Sequence, residues 1–279
     1  MNGEFDPWST DNKMLGEVYQ QDNFECVDTG IDSEWCYILF SSNGLYYPNT
    51  QEVFEEQIVR KNRFEWKWVV RNSKIPQRAA RIIYVRDIHK IWYTYGISAK
   101  VDTIDRTLEL LKSLTEKYKV VTVGSSAGGY MAVLTAIKLQ AQYCLNFSGQ
   151  YKIDEELKNP YTDISGMLDE YQGIVFYFAP AYCQSDIEQY RLVEKKDCVR
   201  FFLFRDDRHA STMLTGNIPY IIGDTRDELE KIYAHWENKK INKFSFLMHT
   251  VPFMQLGKVM YREVKGFFIR RSGKHWNGV

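Results

Sequence analysis

Residues 119–130 read Lys-Val-Val-Thr-Val-Gly-Ser-Ser-Ala-Gly-Gly-Tyr, and no other stretch constrains the fold as tightly. A short β-branched run stops abruptly in small residues, and Tyr130 to Leu139 continues as an apolar stretch suited to a helix buried against a sheet. Gly124-Ser125-Ser126-Ala127-Gly128 fits G-x-S-x-G at the junction. Small residues two positions either side of a serine let strand and helix pack closely while the hydroxyl stays exposed. Ser126 has that flanking; Ser125 does not, because its corresponding neighbours are Val123 and Ala127. A phosphate-binding turn is the competing reading, but no Walker lysine follows and the G-x-G-x-x-G spacing fails.

Strand-like and helix-like segments alternate around this junction, which predicts an α/β fold of the α/β-hydrolase type. Its mostly parallel central sheet would carry helices on both faces and Ser126 on a nucleophile elbow. Predicted strands are Trp35–Phe40, Glu65–Val70, Arg81–Val85, the run before Gly124, Ala141–Phe147, Gly173–Ala179 and Val199–Phe204. Helices are expected from Asn49, whose spacing to Glu52 suits a capping box, and over Asp102–Tyr118, Asp186–Lys196 and Asp227–Trp236. Residues 1–279 read as one domain, with 150–172 as a surface insertion or cap and 240–279 as a C-terminal extension. Phe244 to Arg271 is apolar and basic and gives no secure assignment.

A serine is a poor nucleophile unless a base takes its proton and an acid orients that base, and in this fold the chain order is Ser, acid, His. The five histidines are His89, His209, His235, His249 and His275. His209 follows the strand Val199–Phe204, and Asp186 follows the strand one unit earlier, so adjacent loops at one sheet edge would bring the pair together. The rival assignment pairs Asp206 or Asp207 with His249. Acyl chemistry also needs oxyanion donors: the Ala127 amide comes with the elbow, and a second would come from Ser41-Ser42-Asn43-Gly44, at Ser42 or Asn43.

The 36 basic and 36 acidic residues cancel, which gives no general pull toward nucleic acid or anionic membrane. The first residues lack the pattern of a signal peptide, and no apolar run approaches the roughly 20 residues of a membrane span, so the expected location is cytoplasmic. Cys26, Cys36, Cys144, Cys183 and Cys198 have no CxxC spacing, and neither disulfides nor a metal site is expected.

The elbow, together with Asp87, Trp92-Tyr93 and Gly96 upstream and Asp186 and His209 downstream, resembles α/β-hydrolase-type proteins encoded with bacterial capsule and surface-glycan synthesis, among them capsule O-acetyltransferases. The resemblance spans roughly residues 35–235. It implies acetyl transfer from acetyl-CoA, as co-substrate rather than bound cofactor, through acyl-Ser126 to a polysaccharide or oligosaccharide hydroxyl. It also implies that Asp87, Trp92 and Tyr93 line or brace the site. Ala210 stands where such proteins have glycine after the histidine. An esterase or deacetylase could use the same residues, and a non-catalytic partner in a glycan-assembly complex could keep the fold alone. The oligomeric state is open, a homo-oligomer included.

Overall fold

The computed structural model describes residues 5–9, 12–157 and 159–271, with side chains described as far as Lys265. His275 lies outside the described residues.

In chain order, α1 (Lys13–Tyr19) precedes β1 (Phe24–Asp28) and β2 (Trp35–Phe40). A crossover follows, made of α2 (Gln51–Phe54, continued in a wider π-helical turn to Arg60), α3 (Lys67–Arg71) and α4 (Ile75–Arg78). Then come β3 (Arg81–Val85), α5 (Ile104–Thr115), β4 (Lys119–Ser125), α6 (Ala127–Leu139), β5 (Tyr143–Phe147), β6 (Ile174–Pro180), α7 (Gln184–Val193) and β7 (Val199–Phe204). The last elements among the described residues are α8 (Ile218–Ile221), α9 (Arg226–Trp236), β8 (Lys240–Ile241), α10 (Lys243–Thr250) and α11 (Phe253–Arg271). The eight strands form one sheet in the order β1-β3-β2-β4-β5-β6-β7-β8, with β1 antiparallel to β3 and every other pairing parallel. With the elbow between β4 and α6, this is an α/β-hydrolase fold.

Because strand side chains alternate, both faces of a covered parallel sheet must be apolar. Ile38, Phe40, Cys144, Val175 and Tyr177 face α5, α6 and α7 on one side. Tyr37, Leu39, Val123, Phe178 and Phe202 face α3, α4, α9 and α10 on the other. Phe147, Phe178 and Phe202 occupy paired positions on β5, β6 and β7 and stack at 4.8 and 4.6 Å, so one cross-strand ladder ties these three strands together. α6 is buried all round, as its uniformly apolar sequence requires. Among the described residues no helix is long and apolar enough to cross a membrane.

Three expectations are corrected. Glu65–Val70 is not a strand: both neighbours of β2 are already supplied by β3 and β4, and the segment instead turns into α3, with Phe64, Trp66 and Val70 packed on the sheet. The helix near Asn49 is capped by Thr50, whose hydroxyl accepts from the Val53 amide, while the Asn49 side chain accepts from Lys90. The insertion 150–172 is anchored rather than merely superficial, since Ile153, Ile164, Leu168 and Tyr171 enter the core on the α6 face.

Candidate active site

The elbow is built by close packing that only hydrogen permits. A Cβ on Gly124 would come within 2.0 Å of the Gly128 carbonyl oxygen, and one on Gly128 within 2.3 Å of the Phe40 carbonyl oxygen. The start of α6 is thus pressed against β4 and the end of β2, and the chain turns at Ser126 with φ 51° and ψ −121°. The Ser126 amide is fixed by the Phe147 carbonyl of β5 at 2.9 Å. A non-glycine residue held there costs on the order of 1–3 kcal/mol, which the surrounding packing must offset.

Ser126 Oγ lies 2.9 Å from His209 Nε2, and His209 Nδ1 lies 2.9 Å from Asp186 Oδ2. With Asp186 ionised, Nδ1 donates to the carboxylate, which leaves Nε2 as the acceptor for the serine proton. The Asp186 side chain is buried whereas the imidazole is 38% exposed. Asp186 sits in the first turn of α7, not in the loop before it. Its second oxygen is buried without a hydrogen-bond partner among the described residues, so His209 is the carboxylate's hydrogen-bonding partner there.

The loop that carries His209 is organised by Asp206. Its carboxylate accepts from the Arg208 side chain and amide, from Ser211 Oγ and from Lys243 Nζ at 2.7 Å. Arg208, then Lys243, holds the Asp206 carboxyl well below the ordinary range despite some burial. Asp206 therefore shapes the loop and is not the partner of a base. Asp207 is exposed. His249 stacks on His235 at 4.2 Å and meets Trp236 edge-on, and burial, with His235 adding to it, pulls its pKa down. It is His209, and not His249, that reaches Ser126. Ala210 has φ 57°, which explains why glycine suits the position after the histidine.

The expected oxyanion donors divide. Ala127 is the first residue of α6, so its N–H has no acceptor within the helix and is free to face an oxyanion. The Ser42 amide is not free: it donates to Glu65 Oε2 at 2.6 Å while Ser42 Oγ donates to Oε1 at 2.9 Å. Ser42 is thus corrected from donor to anchor. The Asn43 amide has no hydrogen-bond partner among the described residues and remains the donor candidate on this loop. Burial pushes the Glu65 carboxyl up, and the two Ser42 bonds oppose that shift.

Of the residues expected to line or brace the site, Asp87 and Tyr93 brace it rather than offer ligand contacts, because both are buried with their polar atoms engaged. Asp87 accepts four backbone amides, from His89, Lys90, Ile91 and Tyr93, at 2.8 to 3.0 Å. This clamp holds a loop in which Lys90, Trp92 and Tyr93 all have positive φ. Tyr93 donates its hydroxyl to the Ser41 carbonyl at 2.8 Å, so it braces the same loop that Glu65 holds. Trp92 is half-buried, and its indole nitrogen donates to Gln150 at 3.2 Å, bridging the loops after β3 and β5 beside the elbow. Sequence reasoning missed Glu65 and Asp206 as organisers. A carboxylate between two large aromatics, Phe64 and Trp66, was the available signal for Glu65.

No protein-family model matches the sequence, and no curated protein does. Solved structures with a similar fold include a protein of unknown function from Staphylococcus aureus subsp. aureus Mu50, at 10% identity over 76% of this chain and 91% of that one, with a TM-score of 0.47. The capsule O-acetyltransferase of Neisseria meningitidis serogroup A gives 11% identity over 77% and 92%, with a TM-score of 0.47. Est1E from Butyrivibrio proteoclasticus gives 10% over 75% and 93%, with a TM-score of 0.46. At these identities the likeness is one of fold.

Proposed function

We propose that this chain is a serine acyl-transfer enzyme in which Ser126 is transiently acylated. The observation that carries the reading is the unbroken chain from Ser126 Oγ through His209 to the buried Asp186, on a strained elbow. As Oγ attacks an ester or thioester carbonyl, Nε2 takes its proton. Asp186 stabilises the imidazolium, and the amides of Ala127 and Asn43 receive the negative oxygen. The imidazolium then returns the proton to the departing alcohol or thiol. In the second half, His209 activates the acceptor hydroxyl, which attacks the acyl-serine and releases it.

The residues that resemble capsule O-acetyltransferases favour acetyl-CoA as donor and a hydroxyl of a bacterial capsule or surface polysaccharide as acceptor. A hydrolase reading has its own support, because His209 is 38% exposed and water can reach the base. Intact mass after mixing with acetyl-CoA separates them. A transferase gains one acetyl group on Ser126 and loses it quickly only when an oligosaccharide acceptor is added. Equal loss without acceptor identifies an esterase, and the absence of any adduct or turnover with acetyl-CoA or simple acetyl esters refutes acyl chemistry.

A further inference from the structure

The zero net charge of the chain conceals an uneven distribution. Residues 253–279 contain six lysines and arginines and one acidic residue, so the chain before them is net acidic. That one acid, Glu263, is engaged: it accepts the Gly216 amide at 2.6 Å. Leu256 and Val259 of α11 are buried with Leu247 and Val251 in a small cluster of their own. Helical spacing puts Met254, Tyr261 and Lys265 on the opposite face with Lys258 beside them, and all four are exposed, Met254 at 91% and Tyr261 at 67%. Phe253, at the start of the helix, is 87% exposed.

We infer that the outer face of α11 docks on the surface of an anionic phospholipid bilayer. Exposed large apolar side chains flanked by lysines are what a helix lying in the bilayer interface requires: the apolar groups enter the acyl boundary and the ammonium groups meet lipid phosphates. The core of a protein–protein interface is depleted in lysine, so a second copy of this chain or another protein fits the face less well. Neutral overall charge does not oppose docking, because surface electrostatics act within a Debye length, about 8–10 Å at ordinary salt.

The docking element is tied to the active-site loop. Glu263 binds Gly216, Thr250 of α10 binds Asn217, and Lys243 binds Ser211 and Asp206 in the loop that carries His209. Docking therefore anchors the chain through an element bonded to that loop, which suits an acceptor carried on a membrane lipid. This last consequence rests on the proposed acyl transfer; docking itself does not, and its test reads docking alone.

The experiment is sedimentation of the full chain with phosphatidylglycerol vesicles and, separately, phosphatidylcholine vesicles, with light scattering of the lipid-free protein. Binding to phosphatidylglycerol should be tighter by about tenfold or more and should weaken steeply with salt. The pair Lys258→Glu and Lys265→Glu should lose about tenfold or more, as should Met254→Ser with Tyr261→Ser, without loss of thermal stability. Lys112→Glu with Lys195→Glu, exposed elsewhere, makes the same change in net charge and should leave binding unchanged. Failure to bind either vesicle, equal binding to both, or equal losses in the control pair would overturn the inference. So would a dimer that the Met254 and Tyr261 changes dissociate while lipid binding stays absent.

Discussion

Ser126 is held where its backbone is costly and its hydroxyl useful. Replacing it with glycine removes both the strain and the nucleophile, so Ser126→Gly should be inactive yet more stable. Relief of about 1–3 kcal/mol is partly offset by the greater freedom of glycine in the unfolded chain, about 0.5–1 kcal/mol. The melting temperature should rise by about 2–4 °C per kcal/mol retained; a fall would show that Oγ packs rather than reacts. The G-x-S-x-G spacing singled out Ser126 over Ser125, and chain order with strand positions picked His209 and Asp186, which do meet. The roles of Asp87 and Tyr93 were not legible, because four amide bonds to one carboxylate and a hydroxyl on the Ser41 carbonyl are set by loop conformation. No residue pattern records that conformation.

At the level of elements, the loop after β2 is held from two sides, by Glu65 through Ser42 and by Tyr93 through Ser41. Glu65→Ala leaves the largely buried Ser42 amide without its acceptor, which should cost about 1–3 kcal/mol. It should also lower kcat by about tenfold or more with little change in KM, because the Asn43 amide would lose its fixed direction in the transition state. An unchanged kcat would remove this loop from the oxyanion site. Glu65 escaped notice because Phe64, Trp66, Trp68 and Val70 alternate as in a strand; the helix forms because that alternation competes with a sheet whose neighbouring positions are filled. The β1 strand and α1 also went unread, since β1 is a half-exposed antiparallel edge with a weak apolar pattern.

Across the whole molecule, α9 is fastened to α4 by charge. Glu228 accepts from Arg78 at 2.7 Å and closes a capping box with Thr225, and Lys74 binds Asp224 at 2.6 Å. The Arg78 guanidinium is the main cause that lowers the Glu228 pKa from 4.5 to about 2, against some burial. A carboxyl depressed in the folded state stabilises the fold above its unfolded pKa and loses that contribution on acidification, here as pH falls from about 4.5 through about 2. Glu228→Gln should therefore be less stable at neutral pH by about 1 kcal/mol, a cap-sized loss, since the half-exposed charges are screened. Its acid unfolding curve should also be shallower over that window, as melting temperatures at pH 2 to 7 would show. Most of the parallel sheet was legible from its alternation of apolar runs, whereas the two-residue β8 is too short to carry an alternation and the bond network between α4 and α9 joins segments 150 residues apart that carry no local signature.

The central claim, that Ser126 is a nucleophile activated by His209, is tested most directly by covalent labelling with a fluorophosphonate followed by peptide mapping. One adduct should appear on Ser126, none on Ser125, and the labelling rate should fall by about a thousandfold or more in His209→Ala while His249→Ala labels normally. An adduct on Ser125, or labelling of Ser126 that is indifferent to His209, would contradict the account.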